Sequence, residues 1–195
     1  MRKTVVERKT LETNIKVLLN VDGNGMYKIH TGIGFFDHML TQLAVHGLFD
    51  LEVEVFGDLT VDSHHTVEDV ALTLGQAFAD VVKDKRGLVR MGQAIVPMDE
   101  ALCEVIVDLS GRPYSVFTGE WNSSKIGDLP VTLIEHFFYS LCMSMKANLH
   151  AHIRYGRDDH HKAEALFKAL GKALSAATRI ELRRSDNIPS SKGVL

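Results

Sequence analysis

A pair of adjacent histidines followed by a glutamate occurs twice in this chain. Both copies fit the pattern D-x-H-H-x-x-E-x5-L-G-x-A, and they begin 96 positions apart, at Asp62 and Asp158. Imidazole and carboxylate groups together form an intermediate ligand set that suits Mn, Fe, Co or Zn. The repeated pattern therefore predicts metal binding. The candidate ligands are His64, His65, Glu68, His160, His161 and Glu164.

A second matched feature precedes each copy and adds one more histidine to each set. An acid and a histidine lie within an apolar run at Asp37-His38 and at Glu135-His136. Adjacent residues of a helix diverge by about 100°, so two neighbouring imidazoles do not easily reach the same ion. The pattern predicts two centres of three histidines and one glutamate, and it leaves open which histidine joins which ion.

Such centres are expected to be catalytic. Four protein ligands leave two positions of an octahedral ion open, whereas a structural site is normally closed. Acids close to the histidines are expected to accept hydrogen bonds from the other imidazole N–H groups. These acids are Asp37, Asp62, Glu135 and Asp158.

The elements around these motifs also come in pairs. A helix is predicted to end at Gly47, and its counterpart to begin near Asp128 with Pro130 in its first turn. Alternating apolar residues predict strands over residues 51–55 and 149–155. Turn residues at 22–25 and 110–113 predict a β-hairpin in each half.

The fold class predicted from this order is α+β by internal duplication, as one compact unit. Residues 1–86 form the first half and residues 87–195 the second. Each half is a mostly antiparallel sheet with two helices on one face. The uncovered faces are expected to pack together or against another subunit.

Composition limits the classes of function. The chain has 195 residues, 45% hydrophobic and 24% charged, with a net charge of −3. This charge gives no electrostatic case for nucleic acid. Because there is neither the apolar core of a signal peptide nor about 18 consecutive apolar residues, we expect a cytoplasmic protein without a membrane partner.

Several sequence blocks together resemble imidazoleglycerol-phosphate dehydratase over essentially the whole chain. Besides the two histidine motifs, they are H-T-G-I-G-F-F-D-H-M-L at 30–40, P-M-D-E-A-L at 97–102, D-L-S-G-R-P at 108–113 and P-S-S-K-G at 189–193. The chain is too short for the fused histidinol-phosphate phosphatase domain of some bacteria, so a monofunctional form is expected. The reaction implied by the resemblance converts imidazole glycerol phosphate to imidazole acetol phosphate in histidine biosynthesis.

The resemblance also implies cofactors, residue roles and assembly. It implies two Mn²⁺ per active site, held by His38, His64, His65, Glu68, His136, His160, His161 and Glu164. Glu12 would contact the substrate as the candidate base, with Glu68 and Glu164 as further catalytic carboxylates. Gln42 would contact the substrate, and Arg90, Arg112, Ser190 and Lys192 would bind its phosphate. The implied assembly is a 24-subunit homo-oligomer built from trimers, with metal sites between subunits.

Two other functions fit parts of the pattern. A dinuclear metal-dependent phosphatase is one, although such enzymes use more carboxylates, and here the imidazoles outnumber the acids six to two. A metal-storage or metal-sensing protein is the other, although storage needs no phosphate-binding set and a sensor needs a nucleic-acid surface. The dehydratase is the function that we expect.

Overall fold

The computed structural model describes residues 2–194, which contain two four-stranded sheets and four helices between them. The helices are α1 (Gly34–Gly47), α2 (His64–Val81), α3 (Val131–Met145) and α4 (Asp159–Thr178). The strands of the first sheet are β1 (Lys3–Lys9), β2 (Thr13–Asn20), β3 (Tyr27–His30) and β4 (Asp50–Gly57). Those of the second are β5 (Met91–Met98), β6 (Ala101–Asp108), β7 (Tyr114–Thr118) and β10 (Asn148–Tyr155). Short strands β8 (Lys125–Ile126) and β9 (Leu129–Pro130) pair with each other, and a 3₁₀ turn spans Leu182–Arg184.

The two sheets have the same topology, which confirms the predicted α+β duplication. Their strand orders are β1-β2-β4-β3 and β5-β6-β10-β7. Every pairing in them is antiparallel except the last of each, β3 with β4 and β7 with β10. The division of the chain at residue 86 stays a prediction.

The predicted hairpins at residues 22–25 and 110–113 are wrong. Strand β4 lies between β2 and β3, and β10 lies between β6 and β7. Alternation of apolar residues identifies a strand but not its neighbours, and a strand much further along the chain takes the central place in each sheet. The hairpins that do form join β1 to β2 and β5 to β6. Their turns carry Glu12 in the first half and Asp99-Glu100 in the second.

The two halves pack through their helices, so the first alternative, that the uncovered sheet faces pack together, is wrong, and packing of those faces against another subunit stays a prediction. Helix α2 packs on α3, and α1 packs on α4. In β4, Leu51, Val53 and Val55 point into the core, while Glu52 and Glu54 lie on the outer face. The helices carry apolar residues toward both the sheet and the opposite half, which buries more apolar surface than contact between the two charged outer faces would. No helix within residues 2–194 is long and apolar enough to cross a membrane.

Helix α1 ends at Gly47 as predicted, but the left-handed residue after it is Leu48, with φ 58°. Helix α3 begins at Val131, three residues later than predicted, with Pro130 as its N-cap residue. The reason for the later start is that Leu129 and Pro130 pair with Lys125 and Ile126 as a short strand. Both helices nevertheless place their histidine within the first two turns.

The glycine of the repeated motif lies where two helices come closest. A Cβ atom on Gly171 would lie 2.6 Å from the carbonyl oxygen of Leu43, and one on Gly75 would lie 2.7 Å from that of Leu141. Leu43 and Leu141 each follow the upstream histidine of their half by five residues. The motif therefore encodes the contact between the halves as well as the candidate ligands.

A valine at Gly171 is expected to lower the free energy of unfolding by about 3 kcal/mol, because its Cβ meets backbone atoms that cannot move independently. The matched control is Gly34→Val, since Gly34 has no atom within 4 Å of its Cβ position. The control should change stability by less than about 0.5 kcal/mol. Urea denaturation of the metal-free protein measures both values, and equal effects would contradict the close-approach explanation.

Candidate metal centres and phosphate-binding end

The first group of candidate ligands joins helices α1 and α4. Glu164 Oε1 lies 2.9 Å from His38 Nε2 and 3.0 Å from His160 Nε2. The three candidate ligand atoms all lie within 4.8 Å of one another. His160 and Glu164 share a face of α4 because they are one turn apart, and His38 reaches them because α1 packs on α4.

The second group joins helices α2 and α3 in the same way. Glu68 carboxylate oxygens lie 4.0 Å from His64 Nε2 and 3.4 Å from His136 Nε2. Its ligand atoms also lie within 4.8 Å of one another. Each group thus takes two residues from one half and one from the other, an exchange that sequence spacing does not specify.

The second group contains a polar atom that the described part of the protein leaves unsatisfied. His136 Nε2 is buried and has no hydrogen-bond partner within residues 2–194. Burying a nitrogen without a partner costs about 1–3 kcal/mol, and a metal ion held with Glu68 and His64 would satisfy it. The donor set of two imidazoles and a carboxylate suits Mn²⁺ as well as Zn²⁺ or Fe²⁺, so these residues fit the implied metal.

Glu164 is held as a carboxylate by its neighbours. Burial raises its pKa, but hydrogen bonds from Lys168, His38 and His160 outweigh this and lower the pKa of Glu164 to about 2. Lys168 Nζ lies 2.6 Å from the second carboxylate oxygen. The sequence interpretation missed Lys168, although its position one helical turn beyond Glu164 is a usable signal.

The second histidine of each pair, His65 or His161, belongs to neither group. The rings of His64 and His65 lie nearly perpendicular, at 81°, and those of His160 and His161 at 84°. His65 Nδ1 lies 3.0 Å from Asp58 Oδ2, and His161 Nδ1 lies 2.8 Å from Glu100 Oε2. The pKa of His65 is raised mainly by the hydrogen bond to Asp58, and that of His161 by the bond to Glu100.

The acids that we expected to accept imidazole N–H groups do other things. Asp62 accepts from the backbone N–H of His64 at 2.7 Å, and Asp158 caps α4 by accepting from the backbone N–H groups of His160 and His161. Asp37 accepts from the backbone and hydroxyl of Thr31. Glu135 is exposed. An acid just before a helix meets unpaired backbone N–H groups first, which is why the expectation was wrong for Asp62 and Asp158.

Two further predicted residues lie beside the histidines. Glu12 is exposed, with a carboxylate oxygen 3.7 Å from His65 Nδ1. Gln42 Nε2 lies 3.4 Å from His38 Nδ1, one helical turn away. Gln42 is therefore placed to orient His38, while the Glu12 carboxylate keeps free lone pairs.

The predicted phosphate-binding residues gather at one end of the second half. Arg90 binds Asp108 through Nε at 2.6 Å and Nη2 at 2.9 Å, and its Nη1 donates to the carbonyl of Pro189 at 2.8 Å. Ser190 and Lys192 follow Pro189, and Arg112 lies in the loop after β6. The guanidinium of Arg90 has five N–H donors, so two remain for an anion.

This phosphate-binding end is far from the first group of candidate ligands in the same chain. The backbone N–H of Arg90 donates to the carbonyl of Ala177, 13 residues beyond Glu164 on α4, which corresponds to about 20 Å along the helix. Strand β5 gives a second measure of this separation, because Arg90 precedes the strand and Glu100, which contacts His161, follows it. Eight strand residues span about 26 Å. One small phosphate ester does not reach both this end and the first group within one chain.

Comparisons with known proteins agree over the length of the chain. Residues 31–174 match the family model described as imidazoleglycerol-phosphate dehydratase. Two relatives carry the name imidazoleglycerol-phosphate dehydratase. The protein from a Roseiflexus species is 56% identical to this chain and the one from Methanothermobacter thermautotrophicus is 55% identical. Each match covers 100% of this chain and 98% of the relative.

Two solved structures of the same description are also similar. The protein from Pyrococcus furiosus has a TM-score of 0.84 at 36% identity, covering 97% of this chain and 99% of its own. The protein from Staphylococcus aureus has a TM-score of 0.81 at 33% identity, covering 91% and 99%.

Proposed function

The chain belongs to the imidazoleglycerol-phosphate dehydratase family, and on that premise we propose that it is a Mn²⁺-dependent enzyme that removes water from D-erythro-imidazole glycerol phosphate to give imidazole acetol phosphate. The family is one of hydro-lyases in histidine biosynthesis, so the chain is a carbon–oxygen lyase. Two Mn²⁺ serve each active site in this proposal. The predicted cytoplasmic location stays a prediction.

The observation that carries the proposal is that the candidate metal ligands and the phosphate-binding residues of one chain form separate, incomplete sets. Each group supplies three ligands, and the phosphate-binding end lies about 20 Å along α4 from the first of them. Second copies of the chain would complete both the metal-ligand set and the phosphate-binding set. The site is therefore proposed to lie between subunits of a homo-oligomer, 24 subunits built from trimers.

In this proposal His65 and His161 supply the fourth ligands of the two centres. The two imidazoles of a pair serve different centres, so His65 completes the group that lacks His64, which is the group of Glu164. By the same reasoning His161 completes the group of Glu68. Since neither ring belongs to a group of its own chain, each would be donated to a second copy.

The protein groups divide the chemistry among them. Bound Mn²⁺ would supply Lewis-acid stabilisation and a template for the imidazole ring and the hydroxyl. Glu164, with its pKa of about 2, is ionised and ready to act as a ligand at neutral pH. Arg90, fixed by Asp108, would bind the phosphate with Arg112, Ser190 and Lys192, since guanidinium and ammonium donors favour an anion.

Proton removal is assigned to Glu12. Its carboxylate is exposed at the turn between β1 and β2, with an oxygen 3.7 Å from His65 Nδ1. It would take the proton from the side-chain carbon as the hydroxyl group leaves, and the enol so formed would tautomerise to the ketone. The atoms balance as the loss of one water molecule.

Metal removal tests the function directly. The protein is stripped with a chelator, Mn²⁺, Zn²⁺ or Mg²⁺ is added back separately, and formation of imidazole acetol phosphate is followed. Mn²⁺ should restore turnover in wild type and in the control His150→Asn, which lies on the outer face of the second sheet. The double variant His65→Asn, His161→Asn should stay inactive.

Other outcomes would favour the alternatives. Release of inorganic phosphate without acetol phosphate would indicate a phosphatase. Binding of about two ions per chain with no turnover under any metal would indicate storage. Light scattering adds an independent check, because chelation should shrink the particle if metal ligands join subunits.

A further inference from the structure

We propose that Asp58 and Glu100 are positioning residues that hold His65 and His161 by Nδ1 and so leave Nε2 of each ring as the metal ligand. This inference rests on the proposed function, in which these two histidines complete centres of a second copy. It concerns residues that none of the sequence motifs singled out as acting on the histidines. Neither acid touches the candidate ion-binding groups themselves.

The contact is the same in both halves. A carboxylate oxygen lies 3.0 Å from Nδ1 of His65 and 2.8 Å from Nδ1 of His161. An ionised carboxylate only accepts hydrogen bonds, so Nδ1 must carry the hydrogen. In a neutral imidazole the lone pair is then on Nε2, the nitrogen that a metal would bind.

The two acids reach this position by different routes through the fold. Asp58 follows β4, whereas Glu100 lies in the turn between β5 and β6. In the first half the equivalent turn, between β1 and β2, carries Glu12. The side chain of Glu12 is 53% exposed, whereas those of Asp58 and Glu100 are 25% and 26% exposed. In each half, then, a largely buried carboxylate fixes the ring. In the first half this leaves the exposed turn acid free for another role.

Asp58 has no evident structural reason to be an acid. Its Oδ1 is buried without a hydrogen-bond partner in the described residues, and Oδ2 contacts His65. A buried unsatisfied oxygen costs about 1–3 kcal/mol, so an acid at this position lowers stability. Orientation of His65 gives a physical reason for that cost.

The second carboxylate oxygen of Glu100 is also hydrogen-bonded. This atom, Oε1, accepts from the backbone N–H groups of Arg157 and Asp158 at 2.8 and 2.7 Å. The carboxylate therefore ties the turn to the loop that leads into α4, and its removal would disturb both the loop and the ring. Asp58 is the cleaner position for a test.

Asp58→Ala should weaken binding of one of the two Mn²⁺ per chain by about 10–100-fold, the usual effect of losing an acceptor behind a ligating histidine. Asp58→Asn keeps an oxygen that can accept from Nδ1 and should retain most of the affinity. Binding is measured from the electron paramagnetic resonance signal of free Mn²⁺ during titration of the full chain. His65→Asn is titrated in parallel.

A second readout needs no metal. Nitrogen-15 spectra of the metal-free protein should show His65 protonated at Nδ1 in wild type and in Asp58→Asn, and mixed tautomers in Asp58→Ala. The matched control is Asp62→Ala, which removes a neighbouring acid whose side chain, within residues 2–194, hydrogen-bonds only to the backbone N–H of His64. The control should keep the wild-type tautomer of His65.

The outcomes distinguish a failure of the positioning role from a failure of the proposed function. Weak Mn²⁺ binding by His65→Asn with normal binding and an unchanged tautomer in Asp58→Ala would overturn the positioning role and leave the proposed function intact. Normal binding by His65→Asn would overturn the ligand role of His65 itself. Should Asp58→Ala fail to fold, Asp58→Leu, similar in shape but without acceptor oxygens, gives the same decision.

Discussion

Replacing His136 with asparagine is expected to remove one of two Mn²⁺ per chain and to lower kcat by about 10³-fold. His136 joins the group of His64 and Glu68 from the opposite half and presents a buried, unpartnered Nε2. A Lewis-acid contribution of several kcal/mol would be lost with the ion, and each 1.4 kcal/mol or so corresponds to tenfold in rate. Metal analysis after gel filtration and initial-rate kinetics measure the two effects.

The comparison variant for His136→Asn is His152→Asn, on the outer face of β10. It should bind two ions and keep wild-type kcat. Loss of activity in His136→Asn with both ions still bound would mean that His136 acts on the substrate instead of on a metal. Unchanged activity and unchanged metal content would exclude it from the site.

Two inactive variants are expected to restore activity to each other when they are assembled together. One parent is His136→Asn, which lacks a complete metal centre. The other is Arg90→Gln, Lys192→Ala, which should lose at least about 100-fold in kcat/KM with its charge-assisted phosphate contacts. Because the proposed active site takes its metal set and its phosphate set from different subunits, a mixed assembly contains sites that take an intact set from each parent.

Random mixing of the two parents should restore about a quarter of wild-type activity, since each site draws its two sets from different subunits of a symmetric oligomer. The parents are mixed after chelation and reassembled with Mn²⁺. The control is the same mixture without chelation, in which intact assemblies should not exchange and activity should stay at the level of the parents. No recovery after reassembly would mean that the metal and phosphate sets of one active site come from a single chain.

The types of residue at the site follow from the sequence. Two copies of a histidine pair with a glutamate at helical spacing predict metal ligands because side-chain chemistry and helix periodicity are local properties. The strands at β4 and β10 and the end of α1 at Gly47 follow for the same reason. Alternation and glycine placement act within a few residues and need no knowledge of distant contacts.

Only the tertiary structure decided which of these residues meet. Glu164 shares a group with His38, 126 residues away, because Gly171 allows α4 to approach α1 closely. The acids that orient His65 and His161 come from a strand end and a hairpin turn, whereas local spacing favoured acids such as Asp158, which instead caps α4. The separation of Arg90 from the candidate ligands depends on helix length and strand order. These are long-range contacts, formed by packing that many spacings permit, and no local pattern in the chain specifies them.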